Sequence, residues 1–207
     1  IIVTYNALPH WFNTENSATE KIDTILFVGN IKRHKGLYTL LPAFQTLIKP
    51  VEQNGFGIKA QLLIVGNAEN FRTGDKTIIE QIKALPSEQV KFTGRITDSQ
   101  LRDLYRSSRI LVQPSLYEGF GMPPLEALSL GTKVVLSDIP VFREIYQDYP
   151  VTFFKTENPI DLAEKIASVW NNFQINPVTL PQKYSFEKTS QIIFEQINSK
   201  LIEGETK

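Results

Sequence analysis

Arg109-Ile110-Leu111-Val112-Gln113-Pro114-Ser115-Leu116-Tyr117-Glu118-Gly119-Phe120-Gly121-Met122-Pro123-Pro124-Leu125-Glu126-Ala127-Leu128 reads as a strand, a glycine turn and a helix in sequence. The apolar run before Pro114 has the length and bulk of a buried strand. Pro123 or Pro124 fits a first helical turn, where a missing N–H leaves no acceptor unsatisfied. The N–H groups of a helix start and the positive end of its dipole attract an anion, and Gly119 and Gly121 let backbone come close to it. Glu118 falls in the loop and Glu126 about one turn into the helix. Two carboxylates beside an anion seat cannot usefully hold phosphate, so both are suited to accept hydrogen bonds from sugar hydroxyls.

Outward from this stretch, strand and helix patterns alternate along the whole chain. Strands are expected at Asp23 to Gly29, Lys59 to Val65, Val90 to Thr93, Ile110 to Gln113, Lys133 to Ser137 and Val151 to Phe154. Helices are expected at Gly36 to Val51, Thr77 to Leu85, Ser99 to Ser107 with Asp98 as cap, Pro123 to Leu130, Val141 to Tyr146 and Ile160 to Phe173. Such alternation predicts an α/β fold, a Rossmann-like parallel sheet flanked by helices. Ligands of such sheets sit at the carboxyl ends of the strands, beside the point where strand order reverses. The segments after Gly29, Gly66, Gly94 and Tyr117 all leave strands at that end, which points to one site built from all four.

The loop Gly29-Asn30-Ile31-Lys32-Arg33-His34-Lys35-Gly36 carries three cations between a strand and a helix, a pattern suited to a diphosphate. Lysine and arginine balance aspartate and glutamate, 22 against 22 in 207 residues. Local basic clusters must therefore carry any anion binding, and nucleic acid is not an expected partner. With no cysteine, thiol nucleophiles, disulfides and zinc–cysteine sites are excluded together. The only histidines, His10 and His34, have no acidic cluster at metal-ligand spacing and are expected in surface or core roles. No apolar run approaches the ~20 residues that span a bilayer. Gly119-x-Gly121-x-x-Pro124 lacks the third glycine of a dinucleotide fingerprint, and Gly29 to Gly36 lacks the ending of a P-loop. There is no hydrolase nucleophile elbow around Ser115.

Ser115-Leu116-Tyr117-Glu118-Gly119-Phe120-Gly121-Met122-Pro123-Pro124-Leu125-Glu126-Ala127, with seven residues between its glutamates, resembles the signature of glycosyltransferase family 4, the retaining group 1 glycosyltransferases. Within the family it is most similar to bacterial mannosyltransferases of cell-surface polysaccharide synthesis. The resemblance implies one half of a two-domain GT-B enzyme, the carboxy-terminal half that binds a nucleoside-diphosphate sugar. It implies Glu118 and Lys35 as catalytic residues. Donor contacts are then expected from Gly29, Asn30, Lys32 and Arg33, from Gly94, Arg95 and Ile96 at the nucleobase, and from Tyr117, Gly119, Phe120, Gly121, Met122 and Glu126. GDP-mannose is favoured over a UDP-hexose, and no metal or other cofactor is expected.

Asn30 stands where the family commonly has arginine. A lost charged hydrogen bond of about 1.5–3 kcal/mol means tenfold to a hundredfold in affinity, a deficit that Lys32 or Arg33 can cover. The start, Ile1 to Pro9, resembles the family's interdomain linker, so residues 1–20 are expected as linker, 21–182 as donor-binding domain and 183–207 as a helix crossing back to an absent amino-terminal acceptor domain. An ordinary amphipathic helix with Ile192, Ile193, Ile197 and Leu201 packed inward is the alternative for that last segment. The family implies a cytoplasmic enzyme, peripheral at the inner face of the membrane. A 2-epimerase-like sugar-nucleotide isomerase and a non-catalytic nucleotide-sugar-binding module are the rival readings; the glutamate spacing and Lys35-Gly36 argue against the first.

Overall fold

The computed structural model describes residues 4–8, 20–66, 76–172, 178 and 184–205. Strands β1 (Ile22–Val28), β2 (Gln61–Val65), β3 (Val90–Phe92), β4 (Ser108–Gln113), β5 (Lys133–Ser137) and β6 (Val151–Phe154) form one sheet in the order β3-β2-β1-β4-β5-β6. Every pairing is parallel, with Val28 beside Val65 and Leu26 beside Leu111. The helices between them are α1 (Leu37–Ile48), α2 (Lys76–Lys83), α3 (Asp98–Ser107), α4 (Met122–Ser129), α5 (Pro140–Tyr146) and α6 (Pro159–Asn171). The Rossmann-like sheet expected from the alternation is the fold observed.

The period of two along each strand divides the core between the two faces. Ile25, Phe27, Leu62, Ile64, Ile110 and Val112 join Leu40, Phe44 and Leu47 of α1 and Leu162 and Ile166 of α6 in one buried cluster. Their neighbours Leu26, Leu111, Val134 and Leu136 are buried as well, as are Leu125 and Leu128 of α4 and Phe142 of α5. A strand buried on both faces reads as a continuous apolar run, which is why β1 and β4 were legible.

Most element bounds differ from the sequence reading by one or two residues, and at two helix ends the local cause is plain. The cap of α3 is Thr97 rather than Asp98: its hydroxyl accepts from the Gln100 N–H at 3.2 Å, and the Gln100 side chain accepts from the Thr97 N–H at 2.9 Å. A threonine followed three residues on by glutamine closes a reciprocal box, which leaves Asp98 in the first turn, where its charge favours the dipole. Helix α1 ends at Ile48, short of Val51, because Lys49 precedes Pro50 and takes an extended backbone (φ −59, ψ 143). Val51–Gln53 then forms a separate 3-10 turn.

The chain divides into two compact units, residues 17–178 and residues 1–16 with 179–207. In the second, α7 (Phe186–Glu205) places Thr189 Oγ1 2.9 Å from the Tyr5 carbonyl, and Tyr5 packs edge-on to Tyr184 at 5.6 Å. Ile193 and Ile197 are exposed, so the inward-packed alternative for this helix does not hold for them, and Phe194 beside them is exposed as well. No helix of the described residues is long and apolar enough to cross a membrane.

Candidate functional site

Strand order reverses between β1 and β4: β1 continues into β2 on one side of the sheet, and β4 into β5 on the other. The loops leaving these two strands therefore flank one crevice, and they are the two that carry the sequence motifs. After β1, Gly29 and exposed Asn30 lead into a 3-10 turn, Arg33–Lys35, which ends on Gly36 in the left-handed region (φ +75). A Cβ on Gly36 would stand 1.8 Å from the Pro114 carbonyl oxygen, so only glycine lets the first loop close onto the second. The Leu116 N–H donates to the His34 carbonyl at 2.7 Å and pins the two loops together.

This closure brings Lys35 to Glu118. The ammonium stands 2.7 and 2.8 Å from the two carboxylate oxygens, with side chains only 19% and 10% exposed. The carboxylate expected to hold sugar hydroxyls is thus bound at both oxygens by the lysine expected to hold phosphate. A partly desolvated carboxylate and ammonium gain most by pairing directly. Ser115 Oγ also donates to Glu118 Oε1 at 2.7 Å, and Gln113 Nε2 lies 3.3 Å from that oxygen and 3.1 Å from Ser115 Oγ. Ser115 and Gln113 are fully buried, and the Ser137 hydroxyl at the end of β5 donates to the Ser115 carbonyl.

Glu126 sits on α4 with different company. The phenol of fully buried Tyr105 donates to its Oε2 at 2.6 Å. Burial pushes the Glu126 carboxyl above its ordinary value; the Tyr105 hydrogen bond opposes that shift and Asp98 adds to it. Burial and the neighbouring carboxylate hold the Tyr105 phenol well above the usual tyrosine range.

At the start of α4, Gly121 is left-handed (φ +86), and a Cβ there would lie 2.5 Å from a Phe142 ring carbon. Tyr146 OH donates to the Gly121 carbonyl. Both prolines, Pro123 and Pro124, occupy the first turn and bring no N–H. The anion seat read from the helix start is thereby narrowed to the N–H groups of Gly121 and Met122. Gly119 is exposed and open on its outer side, where a Cβ would touch nothing within 4 Å; Phe120 beside it is half-buried.

The loops after β2 and β3 form a second pair. The Gly94 N–H donates to the Gly66 carbonyl at 2.9 Å, and Thr93 Oγ1 accepts from Gly66 at 3.3 Å and donates to Gly94 at 2.9 Å. Arg95 is exposed and Ile96 half-buried beyond this turn. Lys32 and Arg33 are exposed and make no ion pair among the described residues. The segment that follows Gly66, residues 67–75, and His10 lie outside the described residues.

Sequence reasoning missed four side chains. Gln113, Ser115 and Tyr105 are polar groups buried against the two glutamates, and their only sequence signal is polarity inside an otherwise apolar strand or helix face. His34, expected in a surface or core role, is the fourth. It stacks on Tyr117 at 4.5 Å and 21°, and partial burial with the Lys35 cation lowers its pKa. A hollow of 880 Å³ lined by Ile22, Thr24, Ile48, Gln61 and Gln89 lies at the amino ends of the strands, away from these residues.

Residues 11–177 match the model of the family described as glycosyl transferases group 1. O-antigen chain mannosyltransferase B of Escherichia coli is 31% identical over 125 residues, which is 59% of this chain and 30% of that protein. The structure of Anabaena Alr3699/HepE in complex with UDP-glucose superposes with a TM-score of 0.71 at 21% identity, covering 86% of this chain and 49% of that one. The C-terminal domain of a glycosyl transferase group 1 family protein (LpcC) from Francisella tularensis, solved by itself, superposes with a TM-score of 0.61 at 22% identity, covering 80% of each chain. The chain thus spans about a third of the mannosyltransferase and half of the Anabaena protein.

Proposed function

Because the chain belongs to the glycosyl transferases group 1 family, we propose that it is the donor-binding half of a retaining hexosyltransferase, with an acceptor domain supplied by further polypeptide. The observation that carries this reading is the meeting of Lys35 and Glu118 at the strand-order switch point. A cation and a carboxylate placed side by side match two adjoining parts of a nucleoside-diphosphate sugar: charge for the diphosphate, acceptor oxygens for the hexose hydroxyls. Lys35, helped by exposed Lys32 and Arg33 and by the Gly121 and Met122 N–H groups, stabilises the charge that grows on the leaving diphosphate. Glu118 orients the hexose, Glu126 takes a hydroxyl of the donor, and the turn at Gly94 to Ile96 flanks the nucleobase. The chemistry asks for no metal, since fixed cations and N–H groups do the electrostatic work.

The names of the relatives favour mannose and, with it, GDP-mannose; the Anabaena complex makes UDP-glucose the competing donor. A role in cell-surface polysaccharide synthesis, in the cytoplasm at the inner face of the membrane, goes with that reading. Calorimetric titration of the chain with GDP, UDP, GDP-mannose and UDP-glucose without metal tests it. One base is expected to bind selectively, with Lys35→Ala weakening it about tenfold to a hundredfold. Binding that Lys35→Ala leaves unchanged would remove the diphosphate from this loop.

A further inference from the structure

Glu118 is held from two sides by different chemistry. Lys35 reaches both oxygens, whereas Ser115 Oγ at 2.7 Å and Gln113 Nε2 at 3.3 Å address Oε1 alone. Gln113 Nε2 also donates to Ser115 Oγ at 3.1 Å. One amide nitrogen with two hydrogens and one hydroxyl therefore close a triangle on Oε1, and the hydroxyl accepts from the amide while donating to the carboxylate, an order that strengthens both bonds. Both donors are fully buried, one ending β4 and the other two residues beyond it, so packing fixes them, whereas Glu118 is the one hydrogen-bond partner of the Lys35 ammonium among the described residues. Among the described residues, Oε2 has Lys35 as its one partner.

We infer that Gln113 and Ser115 are positioning residues that clamp Glu118 by Oε1, so that Oε2 is the oxygen presented to a hydroxyl of the transferred hexose once Lys35 turns to the diphosphate. The inference rests on the donor-site reading above. A carboxylate tethered by lysine alone would reorient when the phosphate took that lysine; one clamped by two buried donors keeps its aim. The clamp acts on the sugar end of the donor and leaves the nucleotide end untouched.

The test compares Ser115→Ala, Ser115→Thr and the volume-conserving Gln113→Met in the 207-residue chain, each titrated with GDP, GDP-mannose, UDP and UDP-glucose alongside a thermal melt. The clamp predicts that Ser115→Ala and Gln113→Met lower the affinity for the nucleotide sugar relative to its nucleotide about tenfold, leave the nucleotide itself within about twofold, and that Ser115→Thr, which keeps the hydroxyl, restores the ratio. Equal weakening of nucleotide and nucleotide sugar, tracking the loss of melting temperature, would overturn it in favour of a packing role, as would an unchanged ratio. If the parent chain binds none of the four, the donor-site reading falls and takes this inference with it; that outcome is distinct from a parent that binds and variants that do not discriminate.

Discussion

Lys35 and Glu118, 83 positions apart in the chain, form a two-pronged ion pair, with Nζ 2.7 Å from Oε1 and 2.8 Å from Oε2. Any diphosphate that recruits Lys35 competes with Glu118 for it. Glu118→Gln removes the competing charge while keeping the shape. The expected result is about three- to tenfold tighter binding of the free nucleoside diphosphate, because more of the chain has Lys35 available. If the chain works with an acceptor domain as proposed, transfer by the joined polypeptide should fall tenfold to a hundredfold, because the amide is the weaker acceptor for a hexose hydroxyl. Calorimetry and a turnover assay read the two effects, and loss of both together would mean that Glu118 does not compete for Lys35.

The pairing shows where sequence reading succeeded and where it stopped. Strands β5 and β6 were placed at their observed bounds, since residues 133–137 and 151–154 are short apolar runs between turn residues. The motif loops were visible because glycines and charges break those runs. That Lys35 meets Glu118 was not visible: it depends on β4 lying beside β1, a pairing between segments more than eighty residues apart, and on Gly36 closing onto Pro114. Gln113 and Ser115 were passed over because a polar residue at a strand end is ordinary in sequence and acquires meaning only when its buried partner is known. Thr97 was passed over for Asp98 because both are good caps, and only the Gln100 side chain decides between them.

The glycines of the two loops separate by the space around them. Gly36→Ala and Gly121→Ala each force a Cβ into an atom 1.8 Å and 2.5 Å away in a left-handed backbone. Each should cost about 1–3 kcal/mol of stability in denaturant unfolding. Gly119→Ala meets nothing within 4 Å and should leave stability within about 0.5 kcal/mol of the parent. If the proposed diphosphate approaches on that open side, the added methyl should nonetheless weaken nucleotide binding. Unaltered binding by Gly119→Ala would place the phosphates elsewhere.

Burial raises the Glu126 pKa, and Tyr105 works against it. Its phenol favours the carboxylate form. Tyr105→Phe removes the opposing hydrogen bond, so the pKa should rise further. If ionised Glu126 holds a donor hydroxyl, the acid limb of donor binding must move to higher pH in the variant, with affinity regained as pH is raised. A uniform loss at every pH would leave Tyr105 with a packing role only.

Lys21 offers a test on stability alone. Burial lowers its pKa to about 8 from 10.5, and its ammonium donates to Thr132 Oγ1 at 3.1 Å. Between those two values the unfolded chain keeps the proton and the folded chain releases it, so stability should rise with pH from about 8 to 10.5. Below that window both states are charged and the folded state carries the full desolvation penalty. Lys21→Met should raise the melting temperature at pH 7 by roughly 2–4 °C and abolish the rise at alkaline pH. A variant that retains that rise would assign it to another group.

Which groups hold the diphosphate and the hexose of the donor is tested most directly by a crystal structure of the chain with the nucleotide sugar that binds it. The prediction is a diphosphate within hydrogen-bond distance of Lys35 Nζ, with a hexose hydroxyl on Glu118 Oε2 and Oε1 still bound by Ser115. A donor seated elsewhere, with the Lys35–Glu118 pair intact at its present 2.7 Å, would contradict it.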